Sequence, residues 1–359
     1  MKKKSLFAVI LIFGFISAFS QACPDSLYIT SQAQIDSFQI MYPNCTEIEG
    51  DVYISGNNIT NLNGLSVLTS IGIDLWIEGN DALTSLSGLD NVTSIGGELR
   101  IGALFIGNNS LTSLTGLEGV TSIGNDLEIV GNVTLTSLSG LENVTSTGGD
   151  LWIYDNNALT SLSGLENVTS TGGILRISYN DALTSLSGLE GLTSIGGGIY
   201  ISENNALTSL SGLEGLTSIG GSIGITGNDV LTSLSGMEGL TSIGEGIYIG
   251  ENNALTSLSA FDNVTSIGGS LGIGGNDALT SLSGLEGLTS IGGGIGISYN
   301  DALTSLSGLE SLTSIGDPLS IQENDALTSL SGLDNVTSVG GYLYIGYNDA
   351  LTSLSGLES

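Results

Sequence analysis

The chain repeats one 24-residue phrase almost to its end, and this periodicity restricts the fold more than any other feature of the sequence. One copy, which starts at Leu207, reads LTSLSGLEGLTSIGGSIGITGNDV. Aligned on this first residue, position 1, the copies start at Ile59, Leu83, Leu111, Leu135, Leu159, Leu183, Leu207, Leu231, Leu255, Leu279, Leu303, Leu327 and Leu351. Only the copy that starts at Leu83 is longer, by four residues near GALF. A fixed period of this length is typical of solenoids.

The pattern within each copy favours strands over helices. Apolar residues recur at positions 1, 4, 7, 10, 13, 17 and 19, and the remainder is rich in Gly, Ser and Thr, which are poor helix formers. The triplet at positions 17 to 19, for example residues 199–201, alternates inward and outward side chains as a strand does. We therefore predict an all-β fold, a parallel β-solenoid of about 13 coils stacked about 4.8 Å apart.

Glycine and asparagine occupy fixed places in the repeat. Position 14 is Gly in every complete copy, and position 6 is Gly in all but one, where Ala260 replaces it. Recurring glycines indicate corners with positive φ or close backbone approach. Position 22 is always Asn, which predicts a structural ladder between coils, with a row of ligand oxygens as the alternative. The ladder includes Asn80, Asn108, Asn132, Asn156, Asn180 and Asn204.

The first 22 residues have the pattern of a secretory signal peptide. Three lysines precede an apolar run over residues 6–19, and the small residues Ser20 and Ala22 lie just before Cys23. We predict a signal peptide over residues 1–22, an N-terminal cap over 23–50 and a repeat solenoid over 51–359. We expect a secreted or cell-surface protein without a membrane span.

The last copy is incomplete, which predicts a C-terminal truncation or, alternatively, end-to-end association with another chain.

A short helix is expected to cover the first coil. In SQAQIDSFQIMYP, residues 31–43, Ser31 and Gln34 fit a capping box, and Pro43 ends the pattern. We expect Ile35, Phe38 and Met41 to share the buried face.

Two cysteines, Cys23 and Cys45, remain after the signal peptide. A structural disulfide between them is the favoured interpretation in an oxidising compartment, and lipidation of Cys23 is the alternative.

Residues 44–80, NCTEIEGDVYISGNNITNLNGLSVLTSIGIDLWIEGN, resemble the receptor L domain, a leucine-rich-repeat-like module of receptor ectodomains. The resemblance is carried by Asn44, Cys45, Thr46, Ile48, Gly50, Val52, Ile54, Leu62, Leu65, Leu68, Ile71, Leu75 and Ile77, and the repeats extend it to residue 359. It implies a right-handed solenoid with a cysteine-tied N-terminal helix. Long arrays of this kind resemble secreted or surface repeat proteins of marine Bacteroidetes. Receptor L domains have far fewer coils, and they are capped at both ends. The resemblance therefore implies the fold more strongly than a function.

Position 18, the outward residue of the strand triplet, varies most and is the candidate binding column. It reads Tyr53, Trp76, Arg100, Glu128, Trp152, Arg176, Tyr200, Gly224, Tyr248, Gly272, Gly296, Ser320 and Tyr344. Exposed rings with interspersed charge are typical of contact surfaces for glycans or proteins. The predicted ligand-binding residues are Tyr53, Trp76, Arg100, Trp152, Arg176 and Tyr200. Packing between neighbouring strands is the alternative role, and the glycine-rich C-terminal half is expected to act as a spacer.

The net charge of −31 excludes binding of nucleic acid through phosphate neutralisation and favours attraction of cations.

Position 8 is a carboxylate in each copy from Asp90 to Glu358. We expect this column to be a solvated acidic stripe without a metal, and calcium binding is the alternative.

Two alternatives to adhesion remain open. Thr-Ser pairs recur at positions 2–3 and 11–12, and regular threonine rows on flat solenoids are typical of ice-binding proteins. A purely structural surface spacer is the other alternative. Enzymatic activity is not expected, because the chain has no His and no Lys beyond residue 4, so that histidine-dependent and Schiff-base chemistry is excluded. We therefore predict a non-catalytic recognition or adhesion protein without a cofactor.

Overall fold

The computed structural model describes residues 22–357, and parallel strands make up nearly all of its regular structure. Fourteen strands, one from each successive coil, form a single long-strand sheet. They are Leu27–Ile29, Val52–Ile54, Leu75–Ile77, Leu99–Ile101, Leu127–Val130, Leu151–Tyr154, Leu175–Ser178, Ile199–Ser202, Ile223–Thr226, Ile247–Gly250, Leu271–Gly274, Ile295–Ser298, Leu319–Gln322 and Leu343–Gly346. The predicted all-β solenoid of about 13 coils is confirmed.

Each coil also contributes a two-residue strand, and these form two short-strand sheets. The first sheet contains Glu47–Ile48, Ser70–Ile71, Ser94–Ile95, Ser122–Ile123, Ser146–Thr147, Ser170–Thr171, Ser194–Ile195, Ser218–Ile219 and Ser242–Ile243. The second sheet contains Ser266–Ile267, Ser290–Ile291, Ser314–Ile315 and Ser338–Val339. The coil between them carries a 3-10 helix, Ser259–Phe261, where Ala260 replaces the usual glycine. A second 3-10 helix, Asn63–Leu65, lies in the first coil.

One continuous apolar core runs along the interior of the coils. The strand triplets alternate as the repeat predicts, so that Ile199 and Ile201 are buried while Tyr200 faces outward. In the coil that starts at Leu207, the residues at positions 1, 4, 7 and 10 are fully buried. Thr147 and Thr171 replace isoleucine in the core, and each hydroxyl donates to a backbone carbonyl, at 3.0 and 3.1 Å respectively. Burial of these leucine and isoleucine side chains contributes roughly 1.5–3 kcal/mol each.

The glycines at positions 6 and 14 have the two predicted roles, a corner with positive φ and close backbone approach. At position 6, Gly212 has φ of 113°, a conformation that residues with a Cβ rarely adopt. At position 14, a Cβ on Gly196 would overlap the carbonyl oxygen of Gly172 in the preceding coil. One glycine therefore permits the turn, and the other permits successive coils to stack closely.

Buried asparagines at position 22 form a continuous hydrogen-bonded row. The Asn204 backbone N–H donates to Asn228 Oδ1 at 3.0 Å, and Asn204 Nδ2 donates to the Ile177 carbonyl at 2.9 Å. Asn204 Oδ1 in turn accepts from the backbone N–H of Asn180 at 3.1 Å. The same pattern occurs at Asn80, Asn108, Asn132 and Asn156. Each side chain therefore satisfies backbone groups of the coil on either side, as buried polar groups require.

The N-terminal segment is integrated into the solenoid. Leu27–Ile29 pairs with Val52–Ile54, and Glu47–Ile48 pairs with Ser70–Ile71, so the segment supplies the first strand of the long-strand sheet and of the first short-strand sheet. The predicted disulfide between Cys23 and Cys45 is confirmed. Both thiols are therefore used, which excludes lipidation of Cys23 in this state. The predicted signal peptide lies outside the described residues, apart from Ala22.

The predicted N-terminal helix spans Gln32–Met41, and two of its details differ from expectation. Ile35 and Phe38 are buried, but Met41 is 42 % exposed, because Tyr42 takes the expected place of Met41 on this face and packs against the core. Ser31 is the N-cap, yet it makes no capping bond to the backbone. Gln34 instead accepts from the backbone N–H of Thr30 at 2.8 Å.

Within residues 22–357, no helix has the length and apolar character needed to cross a bilayer.

Candidate functional site

The position 18 side chains form one continuous column on the outer face of the long-strand sheet. Strand register places each residue directly beside its counterpart in the next coil, as in the pairing of Arg176 with Trp152 and Tyr200. The column therefore brings the predicted binding residues onto one face. Tyr53, Trp76 and Arg100 lie in consecutive coils, as do Trp152, Arg176 and Tyr200, and the coil of Glu128 separates the two groups.

In the first group the side chains bond mainly to one another. The Tyr53 and Trp76 rings meet edge to face at 6.3 Å. The Arg100 guanidinium lies 5.4 Å from the centre of the Trp76 ring. Arg100 Nε is 2.8 Å from Glu98 Oε1 and 2.7 Å from Glu128 Oε2, and Trp76 Nε1 donates to Glu98 Oε2 at 3.2 Å. Packing between neighbouring strands, the alternative role, therefore engages most polar groups of this set. Glu98 Oε1 is buried beside Arg100 Nε and forms an ion pair there without a hydrogen bond.

Glu98 is the most strongly perturbed ionisable group of the described chain. Burial, and then the neighbouring Glu128 carboxylate, raise the pKa of Glu98 to about 7, against the opposing effects of Arg100 and the Trp76 hydrogen bond. A single guanidinium is thus shared by two carboxylates, and burial of Glu98 favours the protonated form of that side chain.

The second group has the same Trp-Arg arrangement with fewer partners. Arg176 lies 5.6 Å from the centres of both the Trp152 and Tyr154 rings. The Tyr154 ring also packs against Tyr179, with centroids 5.1 Å apart. Arg176 Nε and Trp152 Nε1 are buried, and neither has a hydrogen-bond partner among residues 22–357. This group therefore contains donors that the described chain leaves unused.

A groove of about 1190 Å³ begins at this second group and continues along the sheet toward the C-terminal coils. Its lining includes Trp152, Arg176, Tyr200, Tyr248, Pro318 and Tyr342. Three of the six predicted binding residues, Trp152, Arg176 and Tyr200, therefore line one concavity. Tyr53, Trp76 and Arg100 lie outside it on the same face.

Glycines form much of the surface of the groove. A Cβ on Gly224 would lie 2.8 Å from Tyr200 Cδ1, and a Cβ on Gly272 would lie 2.6 Å from Tyr248 Cδ2. Each ring therefore leans over a glycine in the next coil, while Gly296 has open space above it. These glycines were predicted to belong to a spacer, and the six predicted binding residues did not include Tyr248 or Tyr342. The alternation of Tyr and Gly at position 18 over residues 200–272 is the signal that indicates the groove.

The carboxylate column at position 8 has a role that neither of its two interpretations included. Each of these side chains from Asp90 to Asp334, except Asp262, accepts the backbone N–H of the position 6 glycine in its own turn, as Glu214 does from Gly212 at 2.8 Å. Asp262 lies in the coil where Ala260 replaces that glycine. The same bond forms from Gly88, Gly116, Gly140, Gly164, Gly188, Gly236, Gly284, Gly308 and Gly332. The column is thus exposed and also stabilises its turns. Glu358 lies outside the described residues.

A smaller acidic concavity of about 430 Å³ lies at another corner of the coils, beside Glu203, Asp229, Glu251, Asp277 and Asp301. The part of the chain described contains no group of three or more acidic or cysteine side chains arranged to hold a metal ion.

The threonine and serine rows are exposed, but their hydroxyl groups also serve the solenoid. Thr217 Oγ1 donates to the Thr193 carbonyl of the preceding coil at 3.2 Å. Ser209 and Ser211 hydroxyls bond each other at 3.0 Å. The ladder proposed for ice binding therefore has an internal structural use.

The four additional residues of the irregular copy form a protruding turn at 103–106. Phe105 is 97 % exposed and Leu104 and Ile106 are about half exposed. This turn is the largest local departure from the repeat on the described surface. The four extra residues near GALF were visible in the sequence, but no function was predicted for them.

No family model matches the chain, and no curated protein matches it either. Among solved structures, a chain titled "Crystal structure of TLR13-ssRNA13 complex" is 15% identical, and the match covers 84% of this chain and 78% of that one. Its TM-score is 0.12, so this likeness carries no conclusion about fold or function. The resemblance to receptor L domains stays a prediction.

Proposed function

We propose that this chain is a secreted, non-catalytic recognition protein that binds a glycan in the groove between Trp152 and Tyr342. The groove itself is the observation on which the proposal depends. Its volume exceeds the several hundred Å³ of a typical small-ligand site, and it follows the direction in which the coils stack. An elongated ligand fits this shape better than a compact one.

The aromatic rings supply contact chemistry suited to sugars. Tyr200 and Tyr248 are 38 % and 50 % exposed, and they lie two coils apart, a separation of about 10 Å at about 4.8 Å per coil. That separation is comparable to the length of a disaccharide. The two tyrosine side chains, each lying over a glycine, present both an apolar ring surface and a hydroxyl group, which suits the mixed polarity of a sugar. The rigid coils hold these groups in place before binding, which reduces the entropic cost.

The composition supports a non-catalytic role, and the disulfide supports secretion. The absence of His and the scarcity of basic residues exclude the commonest catalytic groups. A disulfide between Cys23 and Cys45 is stable in an oxidising compartment, in agreement with the signal peptide predicted for residues 1–22.

A glycan array probed with residues 23–359 tests the proposal. We expect binding by the wild type and a loss of at least about tenfold in affinity for the double variant Tyr200→Ala, Tyr248→Ala, because each ring contributes roughly 0.5–1.5 kcal/mol beyond its buried area. Tyr299→Ala with Tyr347→Ala is the matched control, since these tyrosines are 56 % and 67 % exposed and lie outside the groove. Absence of glycan binding by the wild type would refute the proposal and favour a protein partner or a structural spacer.

A further inference from the structure

The solenoid contains the same Trp-Arg stack twice, and the two copies differ in their acidic neighbours. Arg100 stacks on Trp76, and Arg176 stacks on Trp152, with almost equal distances of 5.4 and 5.6 Å. The first stack is neutralised internally, because Arg100 pairs with Glu98 and Glu128.

At the second stack, sequence changes have removed both carboxylates. Ile174 stands two residues before Arg176, where Glu98 stands before Arg100. Tyr200 pairs with Arg176 in the next strand, where Glu128 pairs with Arg100. Arg176 consequently has no ion pair or hydrogen bond to any of residues 22–357, although the whole chain carries 36 acidic side chains.

In the first stack, a carboxylate is the partner of the tryptophan and arginine side chains. The Glu98 carboxylate accepts from Trp76 Nε1 at 3.2 Å and lies 2.8 Å from Arg100 Nε. At the second stack the corresponding donors, Trp152 Nε1 and Arg176 Nε, have no partner in the described chain. The guanidinium has further N–H donors at its terminal nitrogens, and those nitrogens are not among the buried unpartnered atoms.

The second stack also lies where a ligand can reach it. Trp152, Ile174 and Arg176 line the N-terminal end of the groove, next to Tyr200. An anionic oxygen group that enters here would form charge-assisted hydrogen bonds, which are stronger than neutral ones. The net charge of −31 disfavours a densely charged polyanion, so the anionic group belongs on an otherwise uncharged ligand.

We propose that Arg176 and Trp152 bind the carboxylate of an acidic sugar residue carried by an otherwise neutral glycan. This inference depends on the proposed glycan-binding function and adds a specific chemical group to it. Arg176 forms the ion pair through its terminal guanidinium nitrogens, Trp152 holds the guanidinium by stacking, and Tyr200 contacts the adjoining sugar.

The test compares acidic glycans with the same glycans after reduction of their carboxyl groups to alcohols. The probes are oligosaccharides that carry a single glucuronic or galacturonic acid residue, displayed beside their carboxyl-reduced counterparts and beside acidic peptides. Three proteins are measured: the wild type, Ile174→Glu and Ile174→Gln. Ile174 is half-buried, so both substitutions fit a partly exposed position. Ile174→Glu recreates the internal carboxylate of the first stack, whereas Ile174→Gln has a similar size without charge.

We expect the wild type and Ile174→Gln to bind an acidic glycan about tenfold more tightly than its reduced counterpart, and Ile174→Glu to lose this preference. Equal binding of both glycan forms by the wild type, or a preference that survives in Ile174→Glu, overturns the inference and leaves the proposed function intact. Glycan binding absent from the wild type overturns both. Selective binding of acidic peptides instead overturns the assignment to a sugar.

Discussion

At the scale of single residues, the buried asparagine of each coil joins that coil to both neighbours. Replacement of Asn204 by Ala removes its side-chain bonds to the Ile177 carbonyl and Asn228, and leaves the backbone N–H of Asn180 without its acceptor. Because these groups are buried, we expect a loss of about 2–4 kcal/mol in the free energy of unfolding, measured by urea denaturation.

The adjacent residue provides the control for this substitution. Asn205 is exposed and donates only to Asp181 at 2.8 Å. Asn205→Ala is expected to change stability by less than about 0.5 kcal/mol. Equal effects at the two positions would show that the asparagine row does not contribute specifically to stability.

Glu98 should make the stability of the folded protein depend on pH. Its pKa is raised by burial from an ordinary 4.5 to about 7 in the folded chain, so the folded state binds this proton more tightly than the unfolded state. The resulting stabilisation is complete below pH 4.5 and is lost as the pH rises through 7. We expect wild type to lose roughly 1 kcal/mol relative to Glu98→Gln between pH 5 and pH 8, after allowance for solvent screening.

The comparison with Glu98→Gln is essential, because the chain contains 35 other acidic residues (36 − 1) that also titrate. Denaturation midpoints of both proteins measured across the range isolate the contribution of this one group. A stability difference that does not vary with pH would contradict the assignment.

At the scale of the structural element, two glycines of similar appearance in the sequence should respond oppositely to substitution. A Cβ on Gly196 would overlap the Gly172 carbonyl of the preceding coil, whereas a Cβ on Gly296 would have nothing within 4 Å. We expect Gly196→Ala to destabilise the protein by about 1–3 kcal/mol through forced separation of coils, and Gly296→Ala to be neutral or to stabilise it by about 0.5 kcal/mol. Thermal unfolding of the two variants checks both signs.

The protruding turn permits a second test of element geometry. Removal of residues 103–106 joins Gly102 to Gly107, which restores the local sequence Ile-Gly-Gly-Asn found at residues 273–276. The asparagine row should then continue through Asn108, and we expect a change in stability of less than about 1 kcal/mol with reduced binding of a hydrophobic dye. Removal of only residues 103–105 leaves one residue in excess and should be the more destabilising deletion. The opposite order would show that the turn itself stabilises the coil.

Periodicity predicted the elements well because each residue type recurs under the same constraint in every coil. The apolar positions and the strand triplets follow from local rules that act within one repeat, and the Cys23–Cys45 bridge joins the only two cysteines of the sequence. Features that depend on how one side chain packs against residues elsewhere in the structure were harder to predict from the sequence. The groove depends on how far the Tyr200 and Tyr248 rings lean over neighbouring glycines, and Met41 is exposed because Tyr42 packs against the core in its place.

At the scale of the whole molecule, the column of position 18 residues divides into a part that is satisfied internally and a part that is open. The first coils pair Arg100 with two carboxylates, while the later coils combine Arg176, exposed tyrosines and glycines around a groove. The same backbone therefore supports both a packed ladder and a recognition surface. Side chains outside the shared core distinguish them, at position 18 and, in the contrast between Glu98 and Ile174, at position 16.

A solenoid of this kind should accept an additional coil without loss of stability. Duplication of residues 279–302 adds one complete period between Ala278 and Leu303, including a strand equivalent to Ile295–Ser298 within the groove. Each added coil contributes its own core and one further interface, so we expect a melting temperature equal to or above that of the wild type. X-ray scattering should show an increase of about 4.8 Å in length.

A second duplication separates the length of the solenoid from the length of the groove. Residues 111–134 form a coil outside the groove, so their duplication lengthens the molecule by the same amount and leaves the distance from Trp152 to Tyr342 unchanged. We expect only the duplication of 279–302 to shift the preferred oligosaccharide length upward, by about one sugar unit, in binding measurements with a length series. An identical shift in both variants would mean that overall length, and not the groove, determines the preference, because both proteins gain one coil and only one of them gains it within the groove.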